Sequence, residues 1–170
     1  MTLDFKKYTT EELKLLLKDL ELKKLQNARD NFLDFVKMVW PEFVYGTGDP
    51  RVPGHHEIIA GKFENIKGGK LKRLIVNMPP RHTKSEFASF LFPAWMMGNF
   101  PKLKIIQTTH TAELAYRFGR KVRNLMNEEI YKKIFPDVEL RADSQAAGRW
   151  ETNHGGEYFA AGVGGAITGR

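Results

Sequence analysis

The apolar run Leu74-Ile75-Val76 opens onto a short loop, Asn77-Met78-Pro79-Pro80-Arg81-His82-Thr83, which closes on Lys84-Ser85-Glu86 and a helix-forming stretch to Met97. This order constrains the fold more than any other feature of the chain. A hydrophobic strand that turns tightly into a helix belongs in a sheet with a helical layer packed on it. Such a loop also aims backbone N–H groups at a common point, where the helix N-terminus adds partial positive charge. The segment is therefore a candidate anion site, with the Lys84 ammonium and the Ser85 hydroxyl at its mouth.

Set against the phosphate-loop pattern G-x-x-x-x-G-K-[ST], Lys84 and Ser85 occupy the last two positions. Met78 and Thr83 stand where the two glycines belong. Glycine lets a backbone approach phosphate closely and take positive φ, so Thr83 is expected to serve only with ordinary φ/ψ. Pro79 and Pro80 stiffen the loop by fixing φ. In the nucleotide-binding reading Lys84 reaches the β/γ-phosphates of ATP and Ser85 places its hydroxyl on Mg²⁺. In the plain reading the segment is a basic turn that starts a helix.

Pro79-Pro80-Arg81-His82-Thr83-Lys84-Ser85-Glu86 resembles the variant Walker A motif of phage terminase large subunits, the ATPases that drive DNA packaging. Phe92-Pro93-Ala94-Trp95, Ala112-Glu113-Leu114-Ala115 and Phe118-Gly119-Arg120-Lys121-Val122-Arg123 are similar to later segments of that family, in the same order. So are Ala147-Gly148-Arg149-Trp150-Glu151-Thr152 and the stretch from Gly162 to Arg170, which extends the resemblance over roughly residues 50 to 170. It implies an α/β fold of P-loop NTPase type with a parallel core sheet. It also implies ATP and Mg²⁺ as cofactors, with the phosphate cradle at Pro80, Arg81, His82, Thr83, Lys84 and Ser85 and the metal on Ser85. Arg81 and Arg170 are the implied catalytic arginines, the latter acting on a neighbouring subunit. His55 and His56 fall where the family carries its adenine-binding motif, although the glutamine common there is absent between Gln26 and Gln107. The implied partners are double-stranded viral DNA, the portal, a small terminase subunit and further copies in a ring. The implied location is the cytoplasm of an infected host cell.

The residues themselves leave alternatives at several of these positions. Arg81 reads as an arginine finger or as a surface loop residue. His55 and His56 read equally as a polar helix start, and adjacent histidines point to different helix faces, which disfavours a shared metal. His82 has no evident role. Arg117, Arg120, Lys121 and Asn124 share a helical face that suits DNA phosphates or plain solvent. The net charge of +7 and a pI of about 9.6 make a polyanionic partner plausible. No cysteine is present, so disulfides and thiolate metal sites are excluded. No run of about 20 apolar residues occurs, so no membrane span is expected.

Two regions are expected. Residues 1–48 form an N-terminal helical extension and 49–170 a partial P-loop ATPase domain. Thr9 with Glu12 reads as a capping box, followed by a stripe of Leu13, Leu16, Leu17 and Leu20 that is expected to pack. A second helical run, Phe32, Phe35, Val36, Val39 and Trp40, should stop at Pro41. A helix from His55 to Ile66 with Ile58, Ile59, Phe63 and Ile66 inward should end at Gly68. Core strands are expected at 71–77 and 103–108, a helix at 112–126, and a hairpin turning at Asn153-His154-Gly155-Gly156. No apolar strand ending in Asp or Glu follows Lys84, so the ATPase domain is expected to stop before its Walker B acid and to lack turnover alone. A non-catalytic DNA- or partner-binding piece, or a helicase-like P-loop ATPase, are the alternatives.

Overall fold

The structure, a computed structural model, describes residues 9–41 and 54–164. It is an α/β fold in which helices pack against an open, mixed four-stranded sheet.

The chain begins its described course with α1 (Thr10–Asp30), whose capping box forms as the sequence implies. The Thr9 hydroxyl accepts from the Glu12 N–H, and the Glu12 carboxylate accepts from the Thr9 N–H at 2.7 Å. After a one-residue break at Asn31, α2 (Phe32–Val39) follows and ends at Trp40, just before Pro41. Helix α3 (Gly54–Lys67) ends one residue later than expected, because Gly68 still donates to Glu64 and Gly69 takes the positive φ.

These helices meet around Phe32, which is fully buried. Its ring stands edge-on to Phe63, Phe87 and Trp95 at 5.2–5.5 Å. Trp95 donates its indole N–H to the Ala28 carbonyl at 2.9 Å, and the Tyr131 hydroxyl donates to the Ala94 carbonyl. Two apolar expectations fail. Ile58 points outward, since His56, Ile59, Ala60 and Phe63 take the buried face of α3. The leucine stripe of α1 is only partly buried, Leu13 and Leu16 being half-buried and Leu17 and Leu20 exposed, because the helix reaches the core near its far end, at Leu25 and Ala28.

The helix after the loop is continuous from Lys84 to Asn99 but not uniform. Glu86–Leu91 forms a π-helical turn, with the Phe92 N–H reaching back five residues to the Phe87 carbonyl. Then α4 (Phe92–Asn99) completes it, with Pro93 directly after the π-helical turn. Strand β1 (Lys104–Thr109) and α5 (Ala112–Asn127) fall where expected, α5 being N-capped by Thr111. A short α6 (Glu129–Ile134) leads to β2 (Leu140–Ala146), β3 (Arg149–Thr152) and β4 (Glu157–Gly162).

The sheet order is β1-β4-β3-β2. β1 and β4 run parallel, while β4–β3 and β3–β2 are antiparallel. The expected parallel core sheet is thus corrected to a mixed one. The hairpin accounts for this: Gly155 at φ 81 closes a tight turn, and strands joined so directly can only be antiparallel.

The expected strand at 71–77 is also corrected. The segment carries strand periodicity, with Leu74, Val76 and Met78 half-buried and Ile75 and Asn77 exposed, yet no ladder pairs it among the described residues. Periodicity sets which face is buried, but a strand also requires a neighbour in hydrogen-bonding distance. Helix α5 covers one face of the sheet closely. Trp150 stacks flat on Tyr158 at 4.8 Å and donates to the Gly119 carbonyl. Among the described residues no helix is long and apolar enough to cross a membrane.

Candidate phosphate-binding site

The loop from Met78 to Glu86 lines a concavity of about 550 Å³. Two of its residues take left-handed backbone conformations, Arg81 at φ 65 and Thr83 at φ 58. Positive φ is unusual for arginine and a true outlier for a β-branched residue. The expectation of ordinary φ/ψ at Thr83 is therefore overturned. The backbone at 83 takes a conformation glycine would adopt freely, although the residue is threonine.

Side-chain bonds hold that conformation. The Thr83 hydroxyl donates to the His82 carbonyl at 2.7 Å and lies 2.5 Å from His56 Nε2. A hydroxyl has one proton. Both contacts are satisfied together when His56 Nε2–H donates to the Thr83 hydroxyl, the neutral tautomer with its proton on Nε2. His56 is 4% exposed and stacks on Phe87 at 4.8 Å. Burial, helped by the nearby His55 and His82, pushes its pKa down to about 4, so the ring is neutral at pH 7. The His55 ring lies 4.0 Å from that of His56 and 5.9 Å from that of His82.

The structure thus brings together His55, His56, His82 and Thr83, with Lys84 and Ser85 next along the same loop. Lys84 curls back to the Met78 carbonyl at 3.3 Å, which leaves donor capacity on its ammonium. Ser85 opens the helix and is exposed, as are Pro80 and Arg81 at the loop tip. Arg170 lies outside the described residues. No group of three metal-ligating side chains occurs among those described. A cation at Ser85 would therefore rely on the hydroxyl, the ligand's own oxygens and water, as Mg²⁺ commonly does.

Two features of the site carry no local sequence signal. The His56–Thr83 bond joins residues 27 apart. Lys121, grouped by periodicity with a solvent-facing basic set, instead binds both Glu86 carboxylate oxygens at 2.7 Å. That pair ties α5 to the first turn after the loop. Arg117 and Arg120 remain exposed on α5. Beside the loop, Leu74 to Met78 and α3 residues Ile58, Ile59 and Lys62 line an apolar groove of about 280 Å³.

Comparison with protein-family models, with curated proteins and with solved structures finds no match.

Proposed function

We propose that this chain binds the triphosphate of ATP, with Mg²⁺, in the loop from Met78 to Glu86. We further propose that it serves as the N-terminal ATPase segment of a terminase-like DNA-packaging motor. The observation that carries this reading is the left-handed backbone at Arg81 and Thr83, immediately before a helix opened by Lys84 and Ser85. Consecutive turns of this kind point N–H groups into a concavity that suits an anion.

In this reading Lys84 leaves the Met78 carbonyl for the β/γ-phosphates, and the Ser85 hydroxyl ligates Mg²⁺. Bound Mg²⁺ would supply charge neutralisation at the phosphate oxygens. Arg81, at the loop tip, is the candidate for sensing or stabilising charge on the γ-phosphate, and Arg170 the candidate acting on a neighbouring subunit. His55 and His56 are the candidates for the adenine side. None of the described strands ends in Asp or Glu, and Glu86 is held by Lys121. Binding without turnover is the expected behaviour of the chain alone. Double-stranded viral DNA, portal, small subunit, ring assembly and the infected host cytoplasm belong to the same proposal.

A second reading, a polyanion binder without nucleotide, draws on Arg117 and Arg120, which stand exposed one turn apart. Calorimetric titration of Mg-ATP into the chain and into Lys84→Ala separates the two. Saturable binding lost in the variant is expected. Absence of binding by the folded wild type, together with salt-sensitive DNA binding indifferent to ATP, overturns the nucleotide reading in favour of the second.

A further inference from the structure

We propose that α1 is a self-association helix, pairing antiparallel with α1 of a second copy of this chain. Leu13, Leu16, Leu17 and Leu20 recur at helical spacing and form one stripe. Half of it is open: Leu17 is 65% and Leu20 42% exposed, while Leu13 and Leu16 are half-buried. The open half of the stripe offers apolar surface for a second helix.

Charge identifies the occupant. At about 100° per residue, Glu12 and Lys23 flank one side of the stripe, and Lys14 and Glu21 flank the other. Two copies laid antiparallel, with Leu13 opposite Leu20 and Leu16 opposite Leu17, bring Glu12, whose Oε2 stays in the Thr9 cap and leaves Oε1 for a partner, toward Lys23 of the second copy. The same alignment brings Lys14 toward Glu21 of the second copy. Opposite charges thus meet on both flanks. Lys14 and Lys23 now pair with Glu11 and Asp19 of their own helix, in exposed bridges that exchange at little cost. The contact is isologous, so it closes at two chains.

Sedimentation of the full chain over a range of concentrations tests the proposal. A concentration-dependent dimer is expected, and Leu17→Lys should weaken association roughly tenfold or more while leaving helical content unchanged. Lys14→Glu should weaken it, and adding Glu21→Lys should restore it. Because the chain has no cysteine, introduced thiols report the alignment. Leu13→Cys with Leu20→Cys should cross-link readily on oxidation. Leu13→Cys alone should not, since antiparallel helices separate its two copies by about 10 Å. A wild type monomeric at all concentrations overturns the proposal. So does association unaffected by Leu17→Lys, failure of the charge swap to rescue, or efficient cross-linking by Leu13→Cys alone.

Discussion

Thr83 holds a backbone that its side chain disfavours, and the hydroxyl that pins it is the reason it persists. Left-handed φ costs a non-glycine residue about 1–2 kcal/mol, and two bonds to one hydroxyl offset it. Thr83→Val keeps the strain and removes the bonds, whereas Thr83→Gly removes both. Urea denaturation should therefore find the valine variant less stable than the glycine variant by about 1–2 kcal/mol. His56, the partner, has a pKa depressed from 6.5 to about 4 by burial first and by His55 and His82 second. Between those values the unfolded chain binds the proton and the folded chain does not. The neutral ring's contribution is complete above pH 6.5 and is lost as the pH falls toward 4. Thermal melts of His56→Gln should lose stability less steeply than wild type across that window. An equal slope would mean the ring is not held neutral. Thr83 illustrates what sequence withheld at this scale: the missing glycine was visible, but the histidine that compensates lies 27 residues away.

Helix α5 reaches the sheet by virtue of one small residue. A Cβ on Gly119 would stand 2.8 Å from the Ala147 carbonyl oxygen and 3.2 Å from the Tyr158 ring. Gly119→Ala improves helix propensity yet should destabilise the protein by about 1–3 kcal/mol through overpacking, as a chemical melt would register. Elements with a local signature were legible beforehand. The capping box at Thr9 and Glu12, the stop at Pro41 and the turn at Gly155 each follow from chemistry within a few residues. β2 was not, because Leu-Arg-Ala-Asp-Ser-Gln-Ala alternates weakly and becomes a strand by pairing with β3. The converse failure is 71–77, where alternation is clear and the pairing is missing. Both show that a strand is a relation between two segments, which a single segment's pattern does not specify. The π-helical turn at Glu86–Leu91 had no local signature either, its extra residue being absorbed against a core centred on Phe32.

Across the whole molecule the apolar surface is unevenly covered. Phe32, Phe87, Trp95, Trp150 and Tyr158 are sealed, while Ile75 is 87% exposed beside the groove and Ile58 and Ile106 also face outward. Such surface binds apolar dyes and favours association. Ile75→Lys should lower dye binding measurably while changing stability by less than about 0.5 kcal/mol, since an exposed position contributes little. A large loss of stability would instead mean that Ile75 is covered in solution. The buried tryptophans add a last consequence. Trp95 hangs from the backbone of α1 inside the helical layer, and Trp150 from the backbone of α5 above the sheet. The molecule thus carries an intrinsic optical label on each layer. With Trp40 and one of the two labels replaced by phenylalanine, the remaining label's emission reports whether helices and sheet come apart as one cooperative unit or in succession.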